Sequence, residues 1–375
     1  MERRKRDRSA AETYRRRIRM VYLLFLVGFL LTSISKRFLA GAAAPEDKPL
    51  FAYYPYFVFE HYIRTILVGL GAYYTIRRAI ALRGEVSRFR VVSLLSFVAS
   101  LLVFMVAIPT LWGFTGDHFM GFSYLFMPFP WLSSVLHVAH TGATYRSSFV
   151  AVFGPDGIKI AIATYLAFQA FVWLPTLFYG RRWFCSMVCV FAGCHAETCG
   201  DALPLVPHDR KRPSSKIVHP RVRAALKALL ALDLTGTLLA HAGLLTWLLG
   251  GRFFLSVEAL LALEVARFLI LDTFLLNLMW WSVGGRFYCY YCTPGFLLGL
   301  LGRAVGQQIE THHAGCTSCR LCNEACKMSI DVMAAAVARQ PARSVYCVGC
   351  GQCVDACPQR ALRYSTRFTR RRRGN

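Results

Sequence analysis

Acidic residues are scarce in this chain: 20 Asp and Glu stand against 44 Lys and Arg in 375 residues, a formal charge of +24. Charged residues of both signs amount to 17%, against 55% hydrophobic, and the mean hydropathy is +0.41. So little charge cannot clothe two or three soluble domains, and the bilayer is expected to be the main solvent. Cysteine is absent from the first 184 residues, and all fourteen cysteines fall between Cys185 and Cys357 in short repeated spacings. That clustering excludes a disulfide framework spread through a small secreted domain and points to metal ligation. Lys and Arg gather at the termini and in the gaps between apolar runs, a placement for headgroups and topology, which excludes a nucleic-acid groove reader. No glycine-rich dinucleotide turn, P-loop or nucleophile elbow is present, so nicotinamide, nucleotide or acyl chemistry would need another subunit. No small-residue cleavage site follows the apolar run from Met20, so the N-terminus reads as an uncleaved anchor.

Apolar runs long enough to cross about 30 Å of hydrocarbon occur near 20–36, 57–77, 91–113, 158–180, 226–249 and 262–284. Basic residues alternate between their connections. Arg77, Arg78, Arg83, Arg88 and Arg90 fill the second and Arg181, Arg182, Arg210, Lys211, Arg212, Lys216, Arg221 and Arg223 crowd the fourth, whereas 114–157 has only Arg146. This predicts a polytopic α-helical membrane protein of six spans in the cell inner (plasma) membrane, with both termini in the cytoplasm. The expected order is a basic cytoplasmic arm (1–19), a membrane domain (20–295) with cysteine loops at 181–200 and 285–295, an interfacial linker (296–309), a ferredoxin domain (310–366) and a basic tail (367–375).

Cys316, Cys319, Cys322 and Cys326 form C-x2-C-x2-C-x3-C, and Cys347, Cys350, Cys353 and Cys357 repeat it, closing on Pro358. Soft thiolates suit iron, and in such two-cluster domains the fourth cysteine of each run ligates the other run's cluster. One [4Fe-4S] cluster is therefore expected on Cys316, Cys319, Cys322 and Cys357, the other on Cys347, Cys350, Cys353 and Cys326, in an α+β domain of βαββαβ order. A structural zinc pair would show two C-x2-C pairs instead. The first run ends in Cys326-Lys327, where Cys-Pro is the common form.

Two further loops follow the fourth and sixth runs: Gly180-Arg-Arg-Trp-Phe-Cys185 with Cys189, and Gly284-Gly-Arg-Phe-Tyr-Cys289 with Cys292. Parallel topology brings these four thiols to one face, which invites a third cluster; a thiol–disulfide pair or plain burial is the alternative. Cys194, His195 and Cys199 are further candidate ligands. Paired cysteine loops beside a C-terminal double-cluster domain resemble the NapH/NosR/MauN group of membrane ferredoxin proteins, which includes the quinol dehydrogenase membrane component of periplasmic nitrate reductase. The resemblance covers roughly 150–365. That family's loops read C-x3-C-P; here Val190 replaces the first proline, and the second loop has its cysteine one place early at Cys292, with Thr293 before Pro294. The resemblance implies quinol-linked electron transfer.

Ionisable groups inside spans raise a functional question. Glu60 with Arg64, and Glu264 with Arg267, have the spacing of neutralising pairs. His61, His241 and Asp272, together with Glu60, are candidate groups for quinone or its protons. His137 and His140 are weak candidates for haem, since no C-x-x-C-H site exists. The expected function is a membrane-bound iron–sulfur subunit passing electrons between the quinone pool and a redox partner protein, with membrane lipid as a further partner. A membrane copper reductase serving oxidase assembly, or a cluster-based redox regulator, is the alternative.

Overall fold

The computed structural model describes residues 2–35, 58–83, 87–111, 153–180, 182–199, 220–248, 266–275, 286–311 and 315–371, with isolated positions between them. The chain opens with one helix, α1 (Glu2–Ile34), in which the basic arm runs without a break into the first apolar run. Ile18, Tyr22, Phe25 and Leu26 recur at helical spacing and are buried, and this stripe packs on α2 (Arg64–Arg83). Leu23, Leu24, Val27 and Leu31 point outward.

The second run starts in a wide turn, Phe59–Ile63, before α2. The third is α3 (Arg88–Leu101), capped by Ser87, whose Oγ accepts the Arg90 N–H at 3.2 Å, and it continues as a wide-turn segment Leu102–Ala107. Pro109 has no N–H to give the carbonyl four residues back, at Met105, and His61 Nδ1 lies 3.0 Å from that oxygen. The fourth run is α4 (Gly157–Tyr179), stopped by Gly180 at φ 63°, whose N–H bonds Thr176 O at 2.9 Å. A short helix, α5 (Ala192–Thr198), follows the first cysteine loop and packs on α2 and α3. The fifth run lies in α6 (Pro220–Leu248), and of the sixth only a part is described, including the wide turn Phe268–Leu275.

Arg88–Ala107 and Lys159–Tyr179 are long and apolar enough to cross a membrane by length and composition, and only 22% of either window is buried within the chain. Outward-facing Val92, Leu95, Leu166 and Phe178 make up much of the rest. Six such helices are therefore not shown. The apolar part of α1 is short, the second run carries Glu60 and Arg64, and α6 is thinned by Asp233, His241 and its threonines. Residues 112–125 and 200–219, most of the 114–157 connection with His137 and His140, and much of the sixth run with Glu264 lie outside the described residues.

From the second cysteine loop, α7 (Thr293–Ala304) leads to β1 (Gln308–Thr311), which pairs antiparallel with β2 (Leu362–Ser365) from Gln308 opposite Ser365 to Thr311 opposite Leu362. The expected βαββαβ order is corrected here. Among the described residues the sheet has two strands, and between them in sequence only Ala342 makes a bridge, to Ile309 of β1. Pro341, beside Ala342, has no N–H for a ladder, and the cluster loops take up the chain on either side. Short helices α8 (Leu321–Ala325), α9 (Val332–Val337) and α10 (Gln352–Asp355) lie between β1 and β2 in sequence.

Candidate iron–sulfur centres

The eight ferredoxin cysteines line two cavities. One is walled by Cys326, Cys347, Cys350 and Cys353 with Met328, Ile330 and Val348. The other is walled by Cys316, Cys319, Cys322 and Cys357 with Met333 and Leu362. In each, three thiols come from one run and the fourth from the other. Among the described residues no three His, Cys, Asp or Glu side chains converge as a single ion requires. Thiols spread round a void suit a polynuclear cluster instead.

The two runs share one backbone design. Ser318 and Arg320 have φ of 54° and 64°, and Gly349 and Gly351, which flank the second cysteine of the other run in the same way, have φ of 72° and 76°. Past the fourth cysteines, Ser329 and Arg360 repeat the pattern at 49° and 50°. These left-handed residues turn amides inward: Ile330 N–H donates to Cys326 Sγ at 3.3 Å and Ala361 N–H to Cys357 Sγ at 3.4 Å. Lys327 therefore keeps the turn that Pro358 makes in the second run.

The environments differ. The first cavity faces the cysteine loops: Gln307 Nε2 donates to Cys347 O at 2.9 Å, the Tyr290 hydroxyl bonds Met328 O, and Cys326 and Cys350 pack in the same core as Cys185 and Cys289. Burial pushes Cys326 up to about 11 and Cys350 up to about 12. On the second cavity, Cys319 is exposed.

Cys185 lies in the wide turn Phe184–Val188, Cys289 in the turn Phe287–Tyr290, and Cys292 caps α7. The structure brings the four loop thiols together. Burial pushes Cys185 up to about 12, with Arg182 and Arg286 opposing and Cys289 and Cys189 adding to the rise; Cys292 is raised by burial and then by Cys185, Cys289 and Cys189. Amides of Gly193 and Phe191 are directed at Cys189, and that of Gly295 at Cys292. Gly193 is needed there, since a Cβ would stand 2.8 Å from Cys189 Cβ. Arg182 and Arg286 are both fully buried beside this group. Arg182 donates to Val345 O, and Arg286 donates to Cys185 O at 2.8 Å and lies 3.9 Å from Cys289 Sγ. Among the described residues, Arg182 Nε and Nη1 and Arg286 Nη2 have no hydrogen-bond partner. Donors left in this way fit an anionic group among the thiols.

Sequence reasoning missed Glu197. It is fully buried on α5, takes Arg286 Nε at 2.8 Å on Oε1, and takes Arg90 Nη1 and Gln352 Nε2 on Oε2, while Arg90 Nη2 reaches its carbonyl at 2.8 Å. Burial alone would push its carboxyl up; Arg286, Arg90 and Lys327 hold it at about 2. A lone Glu within Cys194-His-Ala-Glu-Thr-Cys199 gives no signal in one dimension, because its partners lie in three distant segments.

The other candidates are placed as follows. Cys194 packs beside Cys189, with its Sγ directed at the Val190 and Phe191 carbonyls, 3.2 and 3.1 Å away. Cys199 sits against Gly71, where a Cβ would stand 2.8 Å from its sulfur, and the His195 ring stacks on Phe25 at 3.7 Å. Glu60 pairs with Arg64, as expected; Glu60 Oε2 and Arg64 Nε and Nη2 remain buried without partners among the described residues. Glu264 lies outside the described residues, so its pairing with Arg267 is not described; Arg267 Nε lies 3.3 Å from Asp233 Oδ1 on α6, and Asp233 also takes the Thr293 hydroxyl. His241 Nδ1 is 2.7 Å from Thr237 O, a local bond. Asp272 lies in the wide turn Phe268–Leu275, and its side chain is outside the described set.

Comparison with curated proteins and with solved structures gave no match. Residues 315–362 match the 4Fe-4S dicluster domain, which spans all eight cavity-lining cysteines and supports iron–sulfur cluster binding and an electron-transfer role for this part of the chain.

Proposed function

We propose that this chain is a membrane-held iron–sulfur carrier that passes electrons between the quinone pool and a redox partner protein. The observation that supports it most is the continuous packing of Cys185, Cys289, Cys326 and Cys350 in one core, which joins the loop thiols to the inner ferredoxin cavity. Cys326, Cys347, Cys350 and Cys353 would hold one [4Fe-4S] cluster, Cys316, Cys319, Cys322 and Cys357 a second, and Cys185, Cys189, Cys289 and Cys292 a third. Such clusters supply one-electron steps without proton chemistry of their own. The protein's part is to exclude water, fix the spacing and set the local charge through Arg286, Glu197 and Lys327. Glu60, His61 and Arg64, at the α2 end of the membrane domain, are the groups to bind quinol, and Glu60 and His61 are those that can take its protons.

The apolar outer faces of α1, α3 and α4 and the alternation of basic connections support a six-span arrangement in the plasma membrane with the ferredoxin domain in the cytoplasm. Likeness of the two cysteine loops to the NapH/NosR/MauN group supports the quinol side. The test is anaerobic purification, an iron and acid-labile sulfide count, and addition of a reduced short-chain quinol: bleaching of the iron–sulfur absorption is expected. Bleaching by dithionite alone would overturn the quinol link.

A further inference from the structure

The two ferredoxin cavities are alike in backbone and opposite in surroundings. Gly351 of the inner run lies against Phe89 of α3, where a Cβ would stand 3.2 Å from the ring, and the next residue, Gln352, bonds Glu197. Three residues further on, Asp355 takes the Ser87 hydroxyl at 2.7 Å. The inner run is thus covered by an apolar ring and a carboxylate of the same chain. At the positions matching Cys350, Gly351 and Gln352 stand Cys319, Arg320 and Leu321, all exposed, with Leu321 41% exposed, and Asp355 is matched by exposed Glu324; Arg320 lines the cavity itself. Arg360, in the matching left-handed position after Cys357, is exposed as well, and so is Arg339, one turn beyond cavity-lining Ala336. Against Glu324 and Asp331, this edge carries three arginines.

We propose that the open edge formed by Cys319, Arg320 and Leu321 is the docking surface for an acidic one-electron redox protein, which covers the outer cavity as α3 and Glu197 cover the inner one. The inference rests on the electron-carrier reading above. Each encounter moves one electron between one cluster and the partner's centre, and no proton is transferred. An apolar contact on Leu321 excludes water at the shortest route to the Cys319 sulfur, and a partner carboxylate on Arg320 fixes the approach. A basic protein would meet Arg320, Arg339 and Arg360 in repulsion.

The experiment mixes the dithionite-reduced full chain in detergent, by stopped flow, with two high-potential acceptors of opposite charge, an acidic plastocyanin and a basic cytochrome c. The acidic acceptor is expected to react faster at low salt, with a rate that falls as salt rises. Arg339→Glu and, separately, Leu321→Glu, neither of which lines the cavity, are each expected to slow it by about tenfold, leaving iron content and the rate with neutral benzoquinone unchanged. Equal rates for variants and parent, or a faster basic acceptor, overturn the proposal. So does a concentration-dependent dimer that Leu321→Glu dissociates, which would assign the edge to a second copy. Protein purified without iron would instead defeat the carrier reading, and that is seen before any mixing.

Discussion

Arg286 and Glu197 form an ion pair, Nε to Oε1 at 2.8 Å, in which neither side chain is exposed to solvent. Each partner faces a different thiol group: Arg286 lies 3.9 Å from Cys289 Sγ, and Glu197 is bonded by Gln352, which stands between Cys350 and Cys353. Two buried charges cost much desolvation, and this pair is offset by Arg90, Gln352 and the Cys185 carbonyl. The pair ties the second cysteine loop, the helix after the first loop, the start of α3 and the ferredoxin domain to one point.

Removing one member leaves the other buried and uncompensated. Glu197→Ala is expected to destabilise the chain by about 3–5 kcal/mol, read as a fall in melting temperature or a loss of retained iron. A change below about 1 kcal/mol would mean that the junction is solvated.

The same carboxyl predicts an acid limit. Held at about 2 against an ordinary value of 4.5, it contributes stability that is complete above the ordinary value and is lost as pH falls from there toward about 2. Thermal stability of the parent should decline over that window. The Glu197→Gln variant, less stable throughout, should show a shallower decline there. Identical slopes for the two would remove Glu197 as the cause.

Cavity membership makes the fourth cysteines diagnostic. Cys357→Ser should remove or convert the cluster of Cys316, Cys319 and Cys322, and Cys326→Ser that of Cys347, Cys350 and Cys353, each distinguishable by electron paramagnetic resonance. Loss of the cluster within the substituted run itself would refute the crossed arrangement.

The ferredoxin runs were legible because cluster ligation is local: three thiols per loop are fixed by spacing alone, and the crossed fourth follows from known two-cluster domains. The reduction of the inner strands to a single bridge from Ala342 to Ile309 of β1 was not, because a strand of a few residues is decided by pairing geometry and by Pro341 rather than by pattern. The Glu60–Arg64 pair was legible at helical spacing, whereas Arg267 meets Asp233 across two helices, beyond the reach of periodicity. Glu197, Arg182 and Arg286 were hidden for the same reason. In the sequence they are ordinary polar residues near cysteines, and only folding shows that all three are fully buried.

The left-handed positions separate the two runs. Gly351→Arg should cost about 2–4 kcal/mol, since strain at positive φ adds to overpacking on Phe89. Arg320→Gly, its mirror in the open run, should change stability by less than about 1 kcal/mol. Comparable losses in the two variants would mean that the outer run is covered as closely as the inner.

The loop thiols give the widest difference between outcomes. Cys185, Cys189, Cys289 and Cys292 come together beside two buried guanidinium groups whose Arg182 Nε and Nη1 and Arg286 Nη2 lack partners among the described residues. Four thiolates around a cubane carry net negative charge, and these donors would answer it; a thiol pair joined as a disulfide is neutral and would leave them buried against nothing. Iron should therefore approach about twelve atoms per chain, three cubanes of four, rather than the eight or so of the ferredoxin domain alone. The double change Cys185→Ser with Cys289→Ser should return it toward about eight and stop quinol from reducing the remaining clusters, while dithionite still reduces them. Arg182→Gln should lower the third cluster's occupancy without touching the ferredoxin signals, because its guanidinium stands by Cys292, the Gly295 Cβ position lying 3.5 Å from both Arg182 Nη1 and Cys292 Sγ. About eight irons in the parent, together with a Cys185–Cys189 disulfide found by mass spectrometry, would sink the third cluster.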